Sequence, residues 1–405
     1  MDRLGAGSLG PYGNTWVPTP NFNALAARST LFDNCLTDSP DLSRSYRGCW
    51  SGAHGLQQGV SDGTALQAMA GAGVRLSLVT DEPLVAQMPA SDVFDEKLLL
   101  DLEAPTTGAA EIEQTALASL FAEAVDALGR QESPFLLWIH ARGMAAPWDA
   151  PLALRQVLAD EDDPDPLEEV AVPSCYLEEK FDPDDLLGMT QAYAAQVMVL
   201  DECLGVLAAA IEQCPQRQEL VTVVTSPRGF PMGEHRIVGD FQTALYGELL
   251  HVPLLLCRGD GSGALQRSHL LTQTPVVAAT LLDWFGAKGP TGFAQSLLPL
   301  ATPEGALSEC STARDHIVST AAGQIAIRTP AWFLRKTEAD ESMLTEHIEL
   351  YRKPDDRWEL NDVSRRCPHI VEQLTIAMDD YGRALRNNEF ERIAPLAEEL
   401  IVGLD

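Results

Sequence analysis

Residues 220–229 read LVTVVTSPRG. The first six are all apolar or β-branched, and the run stops at Ser226 and Pro227 with Gly229 just beyond. A short, nearly unbroken apolar run closed by turn residues is the pattern of a strand covered on both faces. Working outward, residues 135–140 (FLLWIH) and 252–257 (VPLLLC) repeat it, and 74–80 (VRLSLVT) is a further strand. Between these runs lie longer segments with apolar residues at three- and four-residue spacing, at 111–128, 191–211 and 276–285, which read as helices. Strands alternating with helices predict an α/β fold, a large and mostly parallel sheet flanked by helices. Residues 160–166 (DEDDPDP) are acidic and broken by prolines, so a surface loop is expected there, running on to about residue 185. Prolines in 297–304 mark the end of a first domain at 1–304. Strand-like runs at 325–329 and 347–352 and helical ones at 370–385 and 393–401 predict a smaller C-terminal α+β subdomain over 305–405.

The 405 residues carry 28 Lys and Arg against 59 Asp and Glu, a formal net charge of -31. That excess argues against a broad basic face for nucleic acid and against adhesion to an anionic membrane. An anionic small molecule or glycan could still bind through a local positive pocket. None of the eight cysteines forms a C-x-x-C pair, so no zinc ribbon is expected and reduced, buried thiols are. No run of eighteen apolar residues occurs, so no membrane-spanning helix is expected. Met1 is followed at once by Asp2 and Arg3, without a leader pattern; taken literally, that start implies a cytoplasmic chain.

Five segments in register resemble the sulfatases of the alkaline phosphatase superfamily. Residues 2–14 (DRLGAGSLGPYGN) resemble D-D-L-G-x-x-x-L-G-x-Y-G-N, and residues 17–36 resemble the helix and strand that follow it. Residues 134–151 (PFLLWIHARGMAAPWDAP) resemble the PFFLYVHFxxPHxPW segment. Residues 221–256 resemble the TSDHG…GEH…RVPLI block, and 348–374 the closing ELYDLxxDPxExxNL segment. The resemblance implies a calcium ion held by carboxylates and a carboxamide, a formylglycine nucleophile made from Cys or Ser, and basic groups that neutralise the sulfate.

Each implied role can be checked against the residue present. In the segment SPDLSRSYRGCWSG (39–52), the ungapped register puts Leu42 at the nucleophile position; a rival register puts Pro40 there. Neither side chain has a heteroatom to convert or to attack with. Ser43 and Ser45 are alternative hydroxyl nucleophiles, provided a base or metal activates them. Of the implied metal ligands only Asp2 remains. Arg3 stands at the second aspartate, and Pro227 and Arg228 stand at the Asp and the His or Asn of the later motif. One carboxylate does not hold a hard dication, and a guanidinium cannot shed its charge, so Arg3 and Arg228 should take the metal's place and pair with Asp2. The PHxP histidine is Ala145 and the later lysine is Asp240, while His140 and His235 remain as acid or base candidates. Framework positions such as Tyr12, Asn14, Asn21, Asp201 and Gly205 keep their residue types.

The resulting expectation is a sulfatase-like pseudoenzyme with no cofactor. It would bind a sulfated or phosphorylated ligand, or a protein partner, with Arg3, Arg44, Arg47 and Arg228 lining an anion site. The alternative is a sulfuric ester or phosphoester hydrolase of metal-independent chemistry, using Ser43 or Ser45 with His140 or His235. In the resembled family the first aspartate closes a central strand, so a strand is expected ahead of Asp2. A longer N-terminus of that kind could also carry an export signal.

Overall fold

The structure is a computed structural model and describes residues 1–239, 241, 244–289, 293–302, 314–339 and 346–403. Its strands in chain order are β1 (Thr30–Leu36), β2 (Arg75–Thr80), β3 (Glu96–Leu99), β4 (Phe135–His140), β5 (Cys175–Tyr176), β6 (Val221–Thr225), β7 (Ile237–Val238), β8 (Leu254–Arg258), β9 (Gln266–Gln273), β10 (Ile317–Ala321), β11 (Gln324–Arg328), β12 (Trp332–Thr337) and β13 (His347–Arg352). The α/β architecture is the expected one. Strands β3-β2-β4 form an all-parallel sheet. Strands β6-β8-β1-β9 form a mixed one, in which β9 is parallel to β1 but β8 is antiparallel to both its neighbours. The sheet is thus more mixed than alternation alone suggests. The chain leaving β6 stays at that end of the sheet, where His251 bridges to Leu36 at the end of β1, so β8 starts from there and runs back.

Helices cover both faces. Ala116–Gly129 and Pro183–Gln213 pack with Val79, Val224 and Leu255 in one apolar cluster. Leu42–Ser51, Thr64–Gly71 and Val276–Trp284 pack with Leu76, Leu78 and Leu136 in the other. The helix Pro183–Gln213 has 31 residues, and an 18-residue window of mean hydropathy 1.7 makes it long and apolar enough to cross a membrane. No unbroken apolar run marks it in the sequence, because the charged residues are spaced along the helix rather than absent. Of that window 56% is buried inside the protein, as in a core helix.

The framework residues have identifiable work. Both Asp201 carboxylate oxygens accept from the first turn of the helix Pro20–Ala26, at Asn21 N (3.0 Å), Phe22 N (2.8 Å) and Asn21 Nδ2 (3.0 Å). They satisfy helix-end amides that would otherwise lack partners. One turn on, Gly205 has no room for a side chain, since a Cβ there would lie 2.6 Å from Asn21 Oδ1. Tyr12 Oη accepts from Leu254 N at 2.8 Å and ties the N-terminal loop to β8.

The C-terminal part is an antiparallel meander, β10-β11-β12-β13, with the helix Pro368–Arg386 packed on it through Ile370, Leu374, Met378 and Tyr381. The expected boundary at 304 falls outside the described residues. The helix expected at 393–401 shortens to Glu398–Val402, with a single 3-10 turn at Phe390–Arg392, because Pro395 interrupts the segment. All seven described cysteines are free thiols, as the spacing suggests.

Between the two main sheets lies a gap. Among the described residues, β4 pairs only with β2, and β6 only with β8. A cavity of about 360 Å³ separates their facing edges, lined by residues 135–139 of β4 and all of β6. Asp2 N donates to Ala141 O at 2.8 Å and the Met1 amino group to Thr225 O at 3.2 Å, so residues 1 and 2 bridge the C-terminal ends of both strands.

Candidate functional site

The C-terminal ends of β1, β4 and β6 converge with Asp2, as ligand sites do at strand ends in open α/β sheets. The backbone fixes Asp2 from two sides. Its N–H goes to Ala141 O, and its carbonyl accepts from Met144 N at 3.3 Å. Gly143, at φ +56, permits this close approach, since a Cβ there would lie 3.0 Å from Asp2 O. The next residue, Arg3, also sits at positive φ (60°), a costly conformation for a side chain of its size. Across the gap, Ser226 Oγ accepts from Leu4 N (3.2 Å) and donates to Arg228 O (2.6 Å), which sets the turn after β6. Gly229 then packs so tightly that a Cβ would sit 2.1 Å from Glu248 O.

These constraints aim Arg228 at Asp2. Its Nε and Nη2 each donate at 2.9 Å, one to each carboxylate oxygen, and Nη1 donates to Pro40 O at 3.2 Å. This is a bidentate, charge-assisted pair, and both residues are buried, at 6% and 1% exposure. Burial alone would push the Asp2 carboxyl up; the charge and hydrogen bonds of Arg228 outweigh it and hold its pKa below the ordinary value. The pair expected between Asp2 and an arginine is therefore made by Arg228. Arg3 instead lies over the Phe230 ring at 5.8 Å.

The segment at the nucleophile position forms the helix Leu42–Ser51, capped by Asp41 accepting from Arg44 N at 2.9 Å. Leu42 is buried in the apolar cluster of that face. Ser43 and Arg44 are exposed. Arg47 pairs with Asp62 at 3.1 Å and donates to the carbonyls of Gln57 and Val60. None of Arg3, Arg44, Arg47 and Arg228 lines either of the two large cavities. Ser45 is fully buried, and its Oγ has no hydrogen-bond partner among the described residues.

Sequence reasoning missed the partner of His140. The Tyr46 hydroxyl, one turn along from Leu42, bonds to His140 Nδ1 and accepts from Trp138 Nε1 at 3.2 Å. The Trp138 N–H donates to the Tyr46 oxygen, and the direction of the Tyr46–His140 bond follows the imidazole tautomer. Burial, first of all, pushes His140 down to about 3, so it is uncharged at neutral pH. Its Nε2 has no protein partner among the described residues. Tyr46 stands where the resembled motif has an arginine, and no sequence signal links it to a residue 94 positions away.

His235 is committed elsewhere. Nδ1 meets Glu248 Oε1 at 2.7 Å, Nε2 meets Glu359 O at 3.0 Å, and the ring stacks on Tyr246 at 3.5 Å. Burial alone would lower its pKa, but the Glu248 hydrogen bond and charge raise it overall. With both nitrogens engaged, it ties the loop after β6 to the C-terminal subdomain. Asp240 lies outside the described residues.

The donor set does not suit the calcium that the resemblance implies. Calcium takes six to eight oxygen ligands. Asp2 is the only carboxylate left of the implied set, and both of its oxygens already accept from Arg228. Among the described residues, no group of three or more His, Cys, Asp or Glu is placed to hold a metal ion.

Comparison with known proteins gives a consistent picture. The Sulfatase family model matches residues 1–287. The multifunctional alkaline phosphatase superfamily protein PehA of Trinickia caryophylli is 26% identical over 121 residues, which is 29% of this chain and 23% of that protein's length. Among solved structures, BT4656 in complex with its substrate D-glucosamine-2-N,6-O-disulfate superimposes with a TM-score of 0.77 at 17% identity, covering 96% of this chain and 97% of that one. The phosphonate monoester hydrolase of Agrobacterium radiobacter gives 0.74 at 16% identity, with 96% and 94% covered. At such identities the likeness is one of fold.

Proposed function

We propose that this chain, which belongs to the sulfatase family, is a pseudoenzyme: it keeps the family's fold and has lost the route by which a metal and a formylglycine cleave a sulfate ester. The observation that carries this reading is the pair Arg228–Asp2. A guanidinium bonded to both oxygens of the one remaining ligand puts a fixed positive charge, which cannot accept a substrate oxygen as a metal does, where a cation would sit. At the nucleophile position, Leu42 is packed into the core.

The competing reading, a metal-independent hydrolase, needs a serine hydroxyl bonded to a base. Ser45 has no such bond, Ser43 is exposed, and His140 gives its Nδ1 to Tyr46. The remaining role is recognition of an anionic ligand or of a protein partner, without turnover.

Assays with an aryl sulfate and an aryl phosphate, each with calcium and with chelator, test this. No turnover above the uncatalysed rate is expected in any of the four. Turnover that the chelator abolishes contradicts the reading. Turnover that survives the chelator but is lost in Ser45→Ala contradicts it as well and establishes the serine hydrolase.

A further inference from the structure

The slot of about 360 Å³ between β4 and β6 is bounded by two strand edges that still have hydrogen bonds to make. Backbone groups alternate in direction along a strand. On β4, Pro134 O accepts from Arg75 N on the β2 side, whereas Ala141 O faces the slot and accepts from Asp2 N. The amides and carbonyls of Phe135, Leu137 and Ile139 therefore face the slot as well. On β6, Leu220 O accepts from Gly259 N on the β8 side, whereas Thr225 O faces the slot and accepts from the Met1 amino group. Val221 and Val223 share the orientation of Thr225. Among the described residues, none of Phe135, Leu137, Ile139, Val221 and Val223 makes a backbone bond on that side.

Residues 1 and 2 show what fits between these edges. Met1 donates to β6 at 3.2 Å and Asp2 to β4 at 2.8 Å. Successive residues that bond to opposite neighbours are the rungs of a central strand. The two edges are thus held one strand apart. Both walls of the slot are apolar. On one, Phe135, Leu137 and Ile139 pack with the cluster of Phe121, Leu128 and Leu207. On the other, Leu136, Trp138 and Val223 pack with the cluster of Val277 and Leu281. A strand covered on both faces has to be apolar along its whole length.

We propose that the slot binds an extended apolar peptide of a partner protein, roughly five residues long like β6, added as a strand between β4 and β6. The occupant is set by two demands at once. Its side chains must be apolar on both faces, and its backbone must offer donors and acceptors to both edges. An acyl chain meets the first demand only, and it leaves the amides and carbonyls of both strands without partners, which is costly. A peptide strand meets both. Asp2 and Arg228 do not line the slot, so the proposal is independent of the reading of that centre and stands whether or not it turns over substrate.

A peptide with a core of alternating valine and isoleucine, kept soluble by an uncharged ethylene glycol tag, tests this when titrated into the full chain. Calorimetry and tryptophan fluorescence read the binding, since Trp138 and Trp284 line the slot. Saturable binding at micromolar concentration and a higher unfolding temperature are expected. N-methylation of two successive core amides keeps the side chains but removes a donor to each edge, and should weaken binding by at least about tenfold. Ala208→Trp puts an indole on the slot wall and should prevent binding. The peptide series is read on the unaltered chain, so it decides the matter even if that variant does not fold. No saturable binding of the unmodified peptide overturns the proposal. Equal binding of the N-methylated peptide, or its equal displacement by dodecanoate, overturns it too, since the slot would then select apolarity and not a strand.

Discussion

Replacing Arg228 with alanine is expected to destabilise the fold by about 3–5 kcal/mol, the cost of leaving a buried charge without its partner. Asp2 is 1% exposed and takes both oxygens' bonds from this one guanidinium. The double variant Asp2→Asn/Arg228→Met removes both charges at similar volume and should recover most of the loss, because a buried pair gains little over apolar packing. The acid limb carries the same signature. Asp2 has its pKa lowered in the folded state. Its stabilisation is therefore complete above the ordinary carboxylate range and is lost as pH falls through the depressed value. In Arg228→Ala most of that contribution should be lost, because only the smaller effects of His140 and Arg3 then oppose burial. Urea denaturation midpoints as a function of pH check both effects. An Arg228→Ala loss below 1 kcal/mol, on the order of an exposed pair, would show that the carboxylate is not buried as described.

A loss of comparable size is expected from Tyr46→Ala. Tyr46 is 5% exposed, packs edge-on against Trp50 at 4.6 Å and lies 5.9 Å from Trp138. Truncating an aromatic in such a core costs about 3–5 kcal/mol. Tyr46→Phe separates packing from hydrogen bonding. It keeps the ring but strands His140 Nδ1 and Trp138 Nε1, at about 1–3 kcal/mol for each buried group left unpaired. Calorimetric unfolding of the two variants, with tryptophan fluorescence reporting on Trp138, distinguishes them. If Tyr46→Phe matches the wild type, the hydroxyl does not orient His140.

Strands β4 and β6, the helix Val276–Trp284 and the antiparallel β13 were legible because their apolar patterns are local. The antiparallel course of β8 was not. A run of leucines reads the same in either direction, and only the path of residues 226–253 around the sheet end decides it. The framework residues were legible by type, and the structure supplies their reasons: Asp201 caps a helix 180 residues away, and Gly205 makes room for Asn21. At the site, the departures from the resembled motifs were legible because each chemical role demands a residue type. The Tyr46–His140 bond was not, since topology alone brings the two together.

The central claim is that a guanidinium has replaced the metal. Calcium content, measured by elemental analysis after dialysis of the full chain against millimolar calcium and then against metal-free buffer, tests it most directly. The account predicts no stoichiometric calcium and no change in unfolding temperature with calcium or chelator. One calcium per chain, removed by chelator together with a fall in unfolding temperature, would contradict it.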